Sequence, residues 1–155
     1  MGGMDLRKHI KRSLQLLLIV VQICMTGVKA EQKQEFGPYE VHYIALPTTI
    51  LEPTVAQQMG LVRSKSSGFL NVSVIKNLED GSKKSVAAFI KGSIRNRVQQ
   101  KRSLEFIRKY EGRAVYQLAN FWYSQGEIMT FTLEIQADPN NPPFSIKFNQ
   151  ALYPD

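Results

Sequence analysis

The stretch IMTFTLEIQ, residues 128–136, decides the fold because its polarity alternates from Met129 to Gln136. Met129, Phe131, Leu133 and Ile135 are apolar, and the positions between them carry threonine and glutamate. Alternation with a period of two is typical of a β-strand that has one face in a core and the other in water. Antiparallel sheets produce this pattern, whereas buried parallel strands are apolar throughout. The stretch therefore predicts an antiparallel sheet with one wet face.

Six further stretches are predicted to be strands. They are YEVHYIAL (39–46), FLNVSVIKN (69–77), SVAAFIKGSI (85–94), SLEFIRKY (103–110), RAVYQLANFWY (113–123) and FSIKFNQALY (144–153). Asp80 and Gly81 form a strong hairpin signal between two of them. DPNNPP (138–143) cannot lie inside a sheet and is predicted to be a loop. EPTVAQQMGL (52–61) predicts one short helix that ends at Gly60.

About seven strands and one short helix favour an all-β fold, an immunoglobulin-like antiparallel β-sandwich. The disulfide and tryptophan signature of antibody domains is absent, so the pattern predicts the architecture alone. A small closed barrel is the alternative, and it would need an eighth strand that the pattern does not provide.

The first thirty residues predict a cleaved secretory signal peptide. MGGMDLRKHIKR is basic, and LQLLLIVVQICMTGVKA (14–30) is apolar and ends in small residues. A bilayer span needs about twenty apolar residues, and this run is shorter and contains glutamines. A buried core helix is the alternative. We expect cleavage between Ala30 and Glu31, a periplasmic location, and a single domain over residues 31–155 without a transmembrane segment.

The amino-acid composition excludes several kinds of active site from the part of the chain after the leader. The formal net charge is +7, but the predicted leader carries five basic residues and one acidic residue. The only cysteine, Cys24, lies in the leader. The secreted part therefore has no disulfide, no thiol nucleophile and no thiolate metal site, and its stability depends on its core.

The stretch YEVHYIALPTTILEPTVAQQMGLVRSKSSGFLNVSVIK (39–76) and the β-rich tail ending FNQALYPD (148–155) resemble domain of unknown function 4426. RSKSSGFLNVSV (63–74) is the most recognisable part of the resemblance, which covers nearly all of the chain after the leader. It implies a small secreted protein of Gram-negative bacteria, a periplasmic location and a β-sandwich. It implies no activity and no catalytic residue.

The sequence contains few of the residue patterns that catalytic sites need, and we predict no cofactor, no metal and no catalytic residue. His42 is the single histidine after the leader, and no spacing ties a serine nucleophile to it. Asp138, Asn140 and Asn141 have oxygen ligands suitable for calcium, but the remaining spacing of a calcium loop is missing. No phosphate-binding glycine motif occurs. Paired carboxylates for a hydrolase remain open, because such pairs meet only in space.

Residues 83–113 concentrate positive charge, with ten basic residues against Glu105 and Glu111. Such a segment can steer an anionic partner. The alternative is that lysine and arginine protect edge strands from aggregation.

NFWYSQGE (120–127) holds three consecutive aromatic residues, so at least one of the rings must point away from the core if the stretch is a strand. That ring either anchors a ligand or covers another part of the fold.

The leading hypothesis is a non-enzymatic periplasmic binding or assembly module. It would recognise an envelope protein or an anionic lipid or lipopolysaccharide through a sheet edge and a basic turn. We expect no nucleic-acid partner, and the oligomeric state stays open. The alternatives are an envelope hydrolase that uses carboxylates and a purely structural or stress-related domain. The candidate binding residues are Arg95, Arg97, Lys101, Arg102, Trp122 and Tyr123.

Overall fold

The structure is a computed structural model that describes residues 32–154. The predicted leader and its cleavage site lie outside the described residues. Ten strands form two antiparallel sheets, which confirms the all-β sandwich. The strands are β1 (Gln32–Phe36), β2 (Tyr39–Pro47), β3 (Ser67–Asn77), β4 (Lys83–Val86), β5 (Phe89–Arg95), β6 (Lys101–Leu104), β7 (Phe106–Glu111), β8 (Ala114–Trp122), β9 (Ile128–Gln136) and β10 (Phe144–Ala151).

The first sheet has the order β1-β2-β3-β8-β7, and β4 pairs with the distal half of β3. The second sheet has the order β10-β9-β5-β6. A short 3-10 helix (Thr48–Ile50) and α1 (Pro53–Met59) follow β2. The helix begins at a proline and ends at Gly60, whose φ of 72° is the left-handed conformation that glycine adopts easily. No helix within residues 32–154 has the length and apolarity needed to cross a bilayer.

The strand count exceeds the predicted seven because two predicted strands each divide between the sheets. SVAAFIKGSI becomes β4 in the first sheet and β5 in the second. At the crossing, the Ala88 N–H donates to Gln117 Oε1 at 3.3 Å, and the Ala88 carbonyl accepts from Arg108 Nη2 at 3.0 Å. These side chains replace the ladder bonds that the backbone loses there. SLEFIRKY divides in the same way between β6 and β7, and β1 was not predicted because it is short and polar.

The core lies between the sheets and contains a group of packed aromatic rings. Phe131 of β9 is fully buried and stacks on Phe148 of β10 with centroids 4.8 Å apart. The ring of Phe121 in the first sheet meets Phe131 edge-on at 5.1 Å, and Tyr43 packs on Phe148 at 4.8 Å. These contacts join the two sheets, so the apolar face predicted for residues 128–136 is the centre of the core.

Replacing Phe131 by alanine should lower the free energy of unfolding by about 3–5 kcal/mol, because the substitution leaves a cavity among the other rings. Ser145→Ala, on the exposed face of β10, is the control and should change stability by less than about 0.5 kcal/mol. Urea denaturation followed by circular dichroism measures both. Equal effects of the two substitutions would contradict this assignment of the core.

Candidate functional site

A shallow groove of about 450 Å³ runs over the outer face of the second sheet. The register builds it, since Arg95 on β5 lies opposite Lys101 on β6 and opposite Thr130 on β9, and Thr130 lies opposite Asn149 on β10. The next row places Ser93 beside Thr132, and Thr132 beside Lys147. The groove lining is Ser93, Arg95, Asn96, Arg97, Gln99, Lys101, Ile128, Thr130, Thr132, Lys147 and Asn149.

The groove concentrates positive charge that nearby carboxylates do not neutralise. Four of its lining residues are cationic, and none is aspartate or glutamate. Arg95 and Lys101 are direct cross-strand neighbours, and like charges in that position destabilise a sheet. The guanidinium of Arg95 donates to Gln99 Oε1 at 3.2 Å, which is a neutral partner. An anion between these side chains would relieve the repulsion.

The uncharged part of the groove is chemically suited to oxygen-rich ligands. Ser93, Thr130 and Thr132 supply hydroxyl groups, and Asn149 supplies an amide. Thr130 Oγ1 donates to Asn149 Oδ1 at 2.7 Å, which leaves the amide N–H groups of Asn149 directed elsewhere. Hydroxyl and amide donors between cations can bind the oxygens of a phosphate or carboxylate group.

The candidate residues from the sequence do not all lie in this groove. Arg95, Arg97 and Lys101 line it. Arg102 projects from the other face of β6 and donates to the carbonyl of Trp122 at 2.6 Å. The Trp122 side chain is half-exposed, at 51%, and lies outside the groove lining.

Tyr123 is buried in the core and does not offer its ring to a surface ligand, because it lies two positions after Phe121 and points to the same inner face. Sequence reasoning missed Lys147, Thr130 and Asn149. The alternation of β9 and β10 places them on the wet face, but only the register brings them beside Arg95.

A second polar cluster lies on the outer face of the first sheet around Glu40, which is only 7% exposed. Lys83 Nζ donates to Glu40 Oε1 at 2.7 Å, and Asn77 Nδ2 donates to the same oxygen at 3.0 Å. His42 Nε2 lies 3.4 Å from Glu40 Oε2. The hydrogen bond from Lys83, followed by that from Asn77, lowers the pKa of Glu40 to about 2. This carboxylate is therefore held in its charged form by its own neighbours.

The register also places Ser73 of β3 opposite His42 of β2. A serine, a histidine and a carboxylate thus share one face, which the sequence spacing did not predict. An acyl-transfer site would also need preorganised donors for an oxyanion. At His42, β2 pairs with β1 and β3, so its backbone N–H groups serve the sheet ladders. On β3, the pairing with β8 ends at Val72 and the pairing with β4 begins at Val74, so Ser73 lies between these two ladders.

Metal ligation finds little support among residues 32–154, which contain no group of three or more histidine, cysteine, aspartate or glutamate side chains able to hold a metal ion. In the predicted loop 138–143, the carboxylate of Asp138 accepts hydrogen bonds from residues of the same loop. Asp138 Oδ1 accepts from the Asn140 N–H at 2.9 Å, and Oδ2 accepts from Asn141 Nδ2 at 3.1 Å. Asp138 therefore stabilises its own turn.

Comparison with known proteins identifies relatives of this fold. The family described as "Domain of unknown function (DUF4426)" matches residues 33–155, which confirms the resemblance carried by the sequence motifs. The crystal structure of a DUF4426 family protein from Pseudomonas aeruginosa is 38% identical in sequence, with a TM-score of 0.69. The similarity covers 81% of this chain and 96% of that chain. A comparison with curated proteins yields no match.

Two structures of FetP from uropathogenic Escherichia coli share the fold. A copper-bound glutamate-to-glutamine variant is 16% identical with a TM-score of 0.56, covering 80% of this chain and 95% of that chain. FetP as isolated after recombinant expression in the E. coli periplasm is 15% identical with a TM-score of 0.55, covering 79% and 93% of the two chains. At these identities the likeness concerns the fold alone.

Replacing Glu40 by glutamine should remove part of the acid sensitivity of folding. A carboxyl whose folded pKa is depressed stabilises the fold above its unfolded pKa and loses that contribution as the pH falls towards the folded pKa. The wild type should therefore lose more stability than Glu40→Gln between about pH 4.5 and about pH 2. Thermal unfolding at several pH values measures the difference. Glu79→Gln, at the exposed β3–β4 turn, is the matched control, and parallel curves for wild type and Glu40→Gln would contradict the prediction.

Proposed function

The chain belongs to the DUF4426 family, and within that family we propose that it is a non-enzymatic binding module of the periplasm. Its ligand is an anionic component of the cell envelope, bound in the groove on the outer face of the second sheet. The binding residues are Arg95, Arg97, Lys101 and Lys147, with the hydroxyl groups of Thr130 and Thr132 between the cations.

One observation supports this proposal above the others, and it is the position of Arg95. Lysine and arginine on edge strands are explained by protection against aggregation, and β6 with Lys101 is an edge strand. Arg95 lies on β5, which pairs with β6 on one side and β9 on the other. Edge protection therefore does not account for it, nor for its placement opposite a second cation. An anionic ligand accounts for both.

The periplasmic part of the proposal rests on the leader pattern at residues 14–30 and on the family resemblance. FetP, which shares the fold, was expressed in the periplasm. Anionic molecules with phosphate groups line that compartment as lipid head groups, so a cationic groove has a ligand class within reach.

We do not propose that this chain binds copper as the FetP variant does. Protein copper sites draw on imidazole, thiolate and thioether ligands. His42 is the single histidine within residues 32–154, and its Nε2 faces Glu40. Those residues contain no cysteine and only two methionines, Met59 and the buried Met129, and no three histidine, cysteine, aspartate or glutamate side chains group together, so we propose no metal chemistry.

We also propose that an envelope protein can bind at an edge of the second sheet. Within the described residues, β10 pairs with β9 on one side, and its other side is the longer edge of the second sheet. A peptide strand could add there by backbone hydrogen bonds alone. Lys147 on β10 would then place the peptide next to the groove.

A hydrolase is the second candidate, because Glu40, His42 and Ser73 share one face of the first sheet. That face lies on the opposite sheet from the cationic groove. The two functions thus depend on different residues, and substitution of His42 separates them.

Neutralising Arg95 and Lys101 together should weaken binding of an anionic head group by at least about ten-fold, because hydrogen bonds to charged groups are lost. The probe is dihexanoyl phosphatidylglycerol, kept below its micelle-forming concentration and titrated by NMR. Wild-type amide shifts should cluster in β5, β6, β9 and β10. The variant is Arg95→Gln with Lys101→Gln.

Lys84→Gln with Arg113→Gln is the matched control, since it removes the same charge at exposed sites outside the groove. This control and His42→Ala should bind like the wild type. Equal weakening by the two charge variants would mean a diffuse field without a site. Loss of binding in His42→Ala alone would favour the first-sheet cluster and overturn the proposal.

A further inference from the structure

Three segments meet at one end of the second sheet: the turn 96–100, the turn 123–127 and the segment after β10. Arg102 on β6, next to the first turn, donates at 2.6 Å to the carbonyl of Trp122, the last residue of β8 before the second turn. The Gly126 N–H joins the third by donating to the Leu152 carbonyl at 2.9 Å. The ring of Tyr153 lies against Gly126. The three segments therefore lie together at this end of the sandwich.

Each of these segments exposes a large apolar side chain. Val98 is 71% exposed at the tip of the first turn, Trp122 is 51% exposed at the start of the second, and Tyr153 is 60% exposed after β10. Ile128 is exposed beside the groove. Isolated exposed apolar residues are ordinary, but four at one end of a small domain indicate a surface that is covered in use.

The turn that carries Val98 is held rigidly. Asn96 and Gln100 exchange hydrogen bonds through their side chains and backbones, at 2.9 Å from Asn96 Nδ2 to Gln100 Oε1 and 2.9 Å from the Gln100 N–H to Asn96 Oδ1. Gln99 takes a φ of 65°, which tightens the turn. Val98 therefore projects from a fixed loop instead of folding back onto the sheet.

Positive charge surrounds these apolar side chains. Arg95, Lys101 and Arg102 lie on the two strands that flank the Val98 turn, and Arg97 lies within it. Glu127 is the carboxylate in the second turn, where it accepts from the Ser124 N–H at 3.4 Å. Cations next to an exposed aliphatic tip, with tryptophan and tyrosine beside them, form the combination that favours the interface of an anionic bilayer.

We infer that this end of the sandwich docks on an anionic phospholipid bilayer. The inference rests on the proposed function, because the head groups are the anions that occupy the groove. Val98 enters the boundary between head groups and acyl chains, Trp122 and Tyr153 lie at the level of the head groups, and the cations hold lipid phosphates. A membrane fits better than a folded partner, since the exposed apolar side chains stand singly on different elements with charged residues near them.

Co-sedimentation with lipid vesicles tests the inference on protein expressed from the full sequence. Vesicles of phosphatidylglycerol with phosphatidylethanolamine should bind the protein, and vesicles of phosphatidylcholine should not. Val98→Ser should weaken binding to the anionic vesicles by roughly ten-fold, because it removes the buried apolar group. The same variant should bind monomeric dihexanoyl phosphatidylglycerol like the wild type.

Leu78→Ser is the control, since Leu78 is also an exposed apolar residue but lies beside the β3–β4 turn, outside the proposed surface. It should bind vesicles like the wild type. Vesicle binding that Val98→Ser leaves unchanged overturns the docking surface. Binding of the monomeric lipid without binding of vesicles overturns the inference and keeps the proposed function. Binding of neither overturns both.

Discussion

The crossing of the chain between the sheets at residues 87–88 is the constraint on which the rest of the structure depends. Without it, the run that follows β4 would continue along β3, and the basic turn would lie at an edge of the first sheet. The crossing is possible because Gln117 and Arg108 hydrogen-bond to the backbone of Ala88. It moves β5 into the interior of the second sheet, so Arg95 faces the hydroxyl groups of β9 and the cation of β6.

The cluster around Glu40 and the cationic groove differ in whether an opposite charge faces their charged side chains. Glu40 receives hydrogen bonds from Lys83 and Asn77, which hold its pKa near the low end of the carboxyl range. The charge of Glu40 is therefore matched by residues of its own cluster, which stabilises the junction of β2, β3 and β4. Arg95 and Lys101 face each other instead and have a neutral glutamine as a neighbour. The charge of Glu40 is matched within the protein, whereas two facing cations without a carboxylate between them provide a place where an anion can bind.

The strands and the core could largely be predicted from the sequence, because alternation reports directly on burial. The inward positions of residues 128–136 are at most 1% exposed, and Gly60 and Gly81 mark the ends of elements as predicted. The groove could be predicted only in part. The basic segment was visible, but the register that brings Lys147 and Thr130 beside Arg95 depends on contacts between distant strands. The inward position of Tyr123 continues the alternation of β8, since Tyr123 lies two positions after the buried Phe121 and packs against it.

The central claim is that the end of the sandwich carrying Trp122 contacts an anionic bilayer, and the fluorescence of that residue tests it most directly. Trp122 is the only tryptophan in the chain, so its emission reports on this surface without a label. Adding phosphatidylglycerol vesicles should move the emission to shorter wavelength and make it sensitive to quenching by brominated lipids, and high salt should reverse both effects. An emission maximum that stays at the position of a water-exposed indole, at lipid concentrations where the protein co-sediments, would contradict the claim.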